Sequence, residues 1–192
     1  MAFNLSSAPV YPPFPVLDDV VPEVIKKIDT ITEQKILSGF DYEVKGTTYH
    51  FSYDIMDQSN FGQMISDAIL SMQLGKLSTE ELIARYGAKE DGTLDTSKLP
   101  VLLPDKWIQT WQGHLISEDG KDTAVGLQFT INEFLALSNA GGMHNKNCLG
   151  EGWVKKAKIR AASSVAEVKA LCKEMNIEED YKLAIAKKNK NN

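Results

Sequence analysis

The chain has 192 residues, 43% of them hydrophobic and 24% charged, and a net charge of −5. That balance excludes wholesale disorder and supplies enough apolar residues for a core that folds without metal or disulfide support. The acidic excess predicts no nucleic-acid surface, and no apolar run approaches the roughly 18 residues of a membrane span, so neither nucleic acid nor membrane is an expected partner.

Residues 1–17 place Pro9, Pro12, Pro13 and Pro15 among Val10, Tyr11, Phe14 and Val16. Proline fixes φ and removes a donor, which predicts an extended arm rather than a helix. A stiff apolar strip loses little entropy on docking. Val10, Tyr11, Pro12, Pro13, Phe14 and Pro15 are therefore the expected docking residues, either on another chain or folded back on their own domain. The start of the chain has no basic region followed by an apolar run, so synthesis in the cytoplasm without a secretory signal is expected.

Residues 18–38 predict a helix, capped by Asp18 or Asp19, with Pro22 suited to its first turn and Gly39 after its end. Val21, Val24, Ile28 and Ile31 follow the spacing of a coiled-coil seam for about two heptads. The two readings of that stripe are a short oligomer seam and an amphipathic helix lying on its own core.

FDYEVKGTTYHFSYD, residues 40–54, predicts a β-hairpin turning at Lys45-Gly46. A two-residue loop sets Val44 opposite Thr47, Tyr42 opposite Tyr49 and Phe40 opposite Phe51, which puts the hydrophobic positions of both arms on one face. DQSNFGQMISDAILSMQLG predicts a helix with Phe61, Met64, Ile65, Ala68, Ile69 and Met72 facing the core and Gly75 closing it. Ser78 and Glu81 form a capping box that opens a second, short helix. Residues 87–105 read as a loop, and a wider segment, about 76–104, reads as an insertion.

WIQTW (107–111) and TAVGLQFT (123–130) predict two more strands around a turn at Asp119-Gly120. Thr130 and Glu133 form a second capping box before NEFLALSNA, and Gly141-Gly142 is expected to break that helix. GWVKKAKIRAA then reads as a separate helical segment. Ser164 and Glu167 form a third box before VAEVKALCKEM, where Val165, Val168, Leu171 and Cys172 share a face. The fold class expected is α+β: an aromatic hairpin and a second small antiparallel strand pair packed with several helices, preceded by an arm and a helix. The expected organisation is arm 1–17, helix 18–38, globular domain 39–176 and polar tail 177–192.

Residue chemistry gives little. Cys148 and Cys172 are too sparse for a disulfide framework. His144 and Cys148 would share a helical face, but zinc commonly takes two such pairs, and His50 and His114 are isolated. Neither a third member for a Cys148–His144 nucleophile pair nor a strained nucleophile turn is present. Asp18-Asp19 and Glu178-Glu179-Asp180 read as helix-end and solvated charges, and Lys187, Lys188 and Lys190 as weak phosphate contacts. Phosphate-loop glycine patterns are absent. Trp107 and Trp111 read either as a sugar platform or as core and rim residues. No catalytic, metal-binding or cofactor-binding residues are expected, and no enzymatic activity.

Four ordered pieces carry a resemblance: GFDYEVKGTTYHFSYDIMDQSNF, WIQTWQG, LQFTINEFLAL and GWVKKAKIRAASSVAEVKAL. Together they resemble a domain of unknown function that recurs in bacteriophage tail-fibre, fibre-assembly and host-specificity virion proteins. In that family a "G-F-x-Y-x-G-x-x-Y" hairpin leads into a helix, followed by a tryptophan strand, a "T-x-x-E-F-L-x-L" helix and a closing "K-x-x-I-x-x-A" helix. Two departures stand out: the long loop before the tryptophan strand, and a chain that ends soon after the domain, as in a short connector, cap or fibre subunit. The resemblance implies a non-enzymatic virion protein. It would be a fibre subunit or connector on tail or head, partnered by other virion proteins of the capsid or tail and by copies of itself. A fibre-assembly chaperone is one alternative, and a module binding a host-surface glycan is the other.

Overall fold

The structure, a computed structural model, describes residues 16–177. The expected docking residues Val10, Tyr11, Pro12, Pro13, Phe14 and Pro15 lie outside the described residues. Five helices and one four-stranded antiparallel sheet make the described chain α+β. Its residues divide into two compact units, 35–147 and the combination of 16–34 with 148–177. This differs from the expected single domain over 39–176, because the helix expected to stand alone is claimed by the C-terminal part.

In the unit 35–147, strands β1 (Phe40–Val44) and β2 (Thr47–Phe51) form the expected hairpin. Phe40 faces Phe51, Tyr42 faces Tyr49 and Val44 faces Thr47. Lys45 and Gly46 both have positive φ, 51° and 82°, as a tight turn matched to strand twist requires. Helix α2 (Ile55–Leu74) starts at a reciprocal cap: Asp54 accepts from the Asp57 amide at 2.8 Å, and Asp57 accepts from the Asp54 amide at 3.4 Å. Its buried stripe is rotated from the expected one. Phe61, Ala68, Ser71 and Leu74 are inside, whereas Ile69 and Met72 are 47% and 41% exposed.

Helix α3 (Thr79–Tyr86) opens at the expected Ser78–Glu81 box. The loop that follows holds a 3₁₀ turn at Thr96–Lys98, where Asp95 accepts from Ser97. Strands β3 (Ile108–Ile116) and β4 (Asp122–Thr130) are longer than expected. They form the expected antiparallel pair, and β2 pairs with β3 at His50 and His114, which joins both pairs into one sheet ordered β1-β2-β3-β4.

Thr130 donates its amide and hydroxyl to Glu133 at 2.9 and 2.8 Å, satisfying donors at the start of α4 (Ile131–Ala161). The expected break at Gly141-Gly142 does not occur, and GWVKKAKIRAA is the continuation of the same helix. A Cβ on Gly141 would lie 2.8 Å from Tyr53 and 3.0 Å from Phe40. Gly141 is thus a packing notch inside a helix, not a stop. The core of this unit is aromatic: Phe40, Phe51, Phe61, Trp107, Phe129 and Phe134 are buried together with Leu137.

The other unit combines α1 (Leu17–Leu37) over 17–34, the part of α4 from Cys148, and α5 (Val165–Glu174). Pro22 falls one turn further in than expected because α1 starts at Leu17. The four seam residues receive a correction. Val24 and Ile28 are 3% and 1% exposed and pack with Ile159, Val168 and Cys172, while Val21 and Ile31 are partly buried against the same cluster. The stripe packs on its own chain, as the amphipathic-helix reading of the two expects. A Cβ on Gly152 would lie 2.6 Å from the Thr32 hydroxyl, so α4 and α1 approach closely here. Lys156 reaches Asp29 at 2.6 Å and Lys158 reaches Glu174 at 3.0 Å. Ser164 accepts from the Glu167 amide at 3.2 Å, but the Glu167 carboxylate turns to Ser163 instead of completing the expected box.

Candidate functional site

Strand alternation decides what the sheet offers. Phe40, Tyr42, Tyr49, Phe51, Trp111, Leu127 and Phe129 belong to the packed cluster. The intervening residues Asp41, Glu43, Thr48, Thr110, Gln112, Asp122 and Gln128 are exposed, with His50 and His114 half-buried among them. The solvent side of the sheet is therefore polar at its centre, with Ile108 and Ile116 exposed at the two ends of β3, and an antiparallel sheet tolerates one such face.

Across that face runs a row of carboxylates and imidazoles. His50 Nδ1 lies 2.8 Å from Asp41 Oδ1, and its Nε2 lies 2.7 Å from the Ser38 carbonyl. His114 sits directly opposite His50 on the next strand. Its Nδ1 lies 2.9 and 3.0 Å from the two Asp122 oxygens. A carbonyl and an ionised carboxylate only accept, so the ring nitrogen is the donor in each of these bonds. Gly39 makes room for this ring: with φ of 91°, its Cβ would fall 2.8 Å from His50 Nε2 and 2.2 Å from the Phe51 carbonyl.

At the end of the row an open cleft of ≈ 530 Å³ is lined by Asp41, His50, Phe40, Met143, His144 and Asn147, among others. His144 Nε2 donates to the Lys35 carbonyl at 3.1 Å. Its ring lies over Phe40 with centroids 6.1 Å apart and meets the Tyr53 ring edge-on. Burial raises the Tyr53 phenol above its usual range. Asp41 is 70% exposed beside its imidazole, so the cleft presents a carboxylate, two imidazoles and an aromatic wall. That set suits polar recognition by hydrogen bonds. Among the described residues, no group of three or more His, Cys, Asp or Glu is placed to hold a metal ion.

The residues singled out by sequence fare unevenly. Cys148 is 3% exposed. Burial pushes the Cys172 thiol up to about 11, which removes it as a nucleophile near neutral pH. Trp107 is 3% exposed, and Trp111 packs on Phe61 with centroids 4.3 Å apart. These two tryptophans are core and rim residues, which corrects the sugar-platform reading. Sequence reasoning missed both His–Asp pairs. The first was within reach, because the hairpin register that sets Phe40 opposite Phe51 also sets Asp41 opposite His50. It also missed Trp153 and Val154 on α4, 63% and 60% exposed. No protein-family model matches the chain, and the searches of curated proteins and of solved structures returned no match.

Proposed function

We propose that the chain is a structural component of a bacteriophage virion, a fibre subunit or fibre-attachment connector on tail or head, that works by assembly rather than catalysis. One observation carries the reading. Three of the four ordered pieces that resemble the virion family meet in one core: Phe40 and Phe51 from the hairpin, Trp107 and Trp111 from the tryptophan strand, and Phe129 and Phe134 from the strand-to-helix piece. A domain built from those ordered pieces needs them to share one core.

In this reading residues 10–15 dock on a capsid or tail protein, and the polar sheet face and cleft remain available to a further virion neighbour. The test is incorporation. A chain lacking residues 2–15 keeps Val16, whose carbonyl accepts from the Asp19 and Val20 amides, so helix α1 retains its start. The truncated protein is expected to fold, with unchanged far-ultraviolet circular dichroism, and to be missing from purified particles in which the full chain is found by mass spectrometry. Incorporation of the truncated chain at normal copy number refutes the docking arm. A full chain present during assembly yet missing from mature particles refutes the structural role in favour of an assembly chaperone.

A further inference from the structure

The edge strand of an open sheet presents unpaired N–H and C=O groups that can template another strand. Here the edges are β1 and β4. At the closed end of the β3–β4 hairpin the Ser117 amide donates to the Lys121 carbonyl at 3.0 Å. Antiparallel alternation from that pair turns the backbone groups of Thr123, Val125, Leu127 and Phe129 toward β3, and those of Ala124, Gly126 and Gln128 outward. Thr130, next in the outward set, gives its amide to Glu133. Among the described residues, no backbone bond reaches the outward groups of Ala124, Gly126 or Gln128. The two edges are built differently. β1 is five residues long and carries Asp41 and Glu43 at its outward positions, charges that discourage pairing. β4 is nine residues long, and from Thr123 to Thr130 it has no charged residue and no proline. Its register with β3 runs without a bulge. Gly126, at its centre, is not required from within the chain, since a Cβ there would make only an ordinary contact with Thr110, at 3.5 Å. A strand-interior glycine without a bulge commonly marks the close approach of another backbone.

We propose that the β4 strands of two copies pair antiparallel across a two-fold axis at Gly126, joining their sheets edge to edge. Full overlap of the strand with itself has one register. It sets Gly126 opposite Gly126, Ala124 opposite Gln128 and Asp122 opposite Thr130, so the outward N–H and C=O of Ala124, Gly126 and Gln128 all find partners. Asp122 is the one charged residue of the strand, and Thr130 across from it leaves no like charges facing. On the other side of the sheet Val125 meets Leu127, a residue packed against the aromatic core. Such a contact is isologous and closes on itself. Pairing of β4 with the β1 edge of another copy would instead propagate, and Asp41 and Glu43 oppose it. The same charges guard the two edges that the dimer leaves open. Residues 9–15 hold four prolines, each without the N–H that a ladder needs, so they do not supply the missing strand. One strand pair is a small contact beside the roughly 800 Å² per partner of a standard interface, so the dimer is reversible.

Sedimentation equilibrium of the full chain across the micromolar range, with residue-resolved amide exchange at both ends of that range, tests the proposal. A monomer–dimer equilibrium is expected, in which the Ala124, Gly126 and Gln128 amides exchange fast when dilute and slow down as the dimer forms. Ala124→Pro removes one outward donor, leaves the β3 ladder its bonds, and is expected to weaken the dimer at least about tenfold. The double variant Ala124→Lys, Gln128→Lys keeps every backbone donor and sets like charges opposite each other across the axis, so it should weaken the dimer even if the proline variant fails to fold. Unchanged far-ultraviolet circular dichroism of either variant separates loss of the dimer from loss of the fold. A chain that stays monomeric overturns the proposal, and so does a dimer indifferent to the folded variants. Outward amides already slow in the dilute monomer overturn it too, because a segment of the same chain then covers the edge. None of this rests on the virion role, which particle incorporation tests on its own.

Discussion

The two units bury different chemistry. In 35–147 the core is made of rings, with Phe134 touching Phe61, Trp107, Trp111 and Phe129. In 16–34 with 148–177 the buried cluster holds no aromatic residue: it is Val20, Val24, Ile28, Ile159, Ala162, Val168, Cys172 and Ile177. Rings fix one another by edge and face geometry and suit a sheet packed on helices. Small branched side chains let helices approach closely, and Gly152 against Thr32 is the extreme of that approach. The difference teaches that one chain uses two packing rules, and that a substitution means different things under each.

The comparison is broken most severely by emptying the aromatic core. Phe51 is fully buried against Phe40, Tyr42 and Phe129. Phe51→Ala is expected to cost about 3–5 kcal/mol in chemical denaturation. Hydrogen exchange should place the lost protection in the amides of 35–147, and an equal loss in both units would mean that they do not unfold separately.

Next come the helix glycines, which should differ in sign. Gly150→Ala stabilises α4 by about 0.5–1 kcal/mol. Gly152→Ala drives a Cβ into Thr32 and falls below Gly150→Ala by about 1–3 kcal/mol. Equal effects would erase the distinction between the packed and the open glycine.

The cap at Ser164 is smaller, with Ser164→Ala expected to cost about 1 kcal/mol. Cys172 gives a probe of the aliphatic core without altering it. With its thiol raised to about 11, about one molecule in a thousand carries the thiolate at pH 8. Labelling of Cys172 should therefore wait on opening of the unit, and prompt labelling would show a looser core. The smallest effect is at Glu133. The Thr130 amide, and then its hydroxyl, hold this carboxyl below its usual 4.5. Its contribution is present above that value and is lost as pH falls through the lowered folded value. Glu133→Gln should flatten the acid limb of stability slightly, and an unchanged limb would show that the bond is idle.

Local rules made the first hairpin legible. A two-residue turn fixes its register, and the aromatic alternation agrees with it. The capping box at Ser78 and the bond from Thr130 to Glu133 were legible for the same reason, since each involves residues three apart. What escaped was set by distant partners. Gly141-Gly142 reads as a stop until Phe40 and Tyr53 are known to press on Gly141. The seam over Val21–Ile31 carries the same apolar pattern whether it meets a second copy or α4 and α5. Periodicity aimed α2 about a residue wide of its buried stripe, because the sheet decides which face is covered. In the candidate site, Asp41–His50 follows from the hairpin alone, whereas the meeting of His50 with His114 needs β2 to find β3 across α2, α3 and the loop after them.

One of the two units is a single stretch of chain and the other is assembled from segments on either side of it, with all of 35–147 between them. During synthesis the aromatic unit is complete in sequence well before the ribosome has made α5. Val20, Val24 and Ile28 of α1 are made before 35–147, yet their neighbours Val168, Cys172 and Ile177 are made after it. Closing so long a loop is slow, though each doubling of its length adds only about 0.6 kcal/mol. The nascent chain thus carries the apolar stripe of α1 uncovered while all of 35–147 is made, an interval in which nascent copies on one messenger can meet through it.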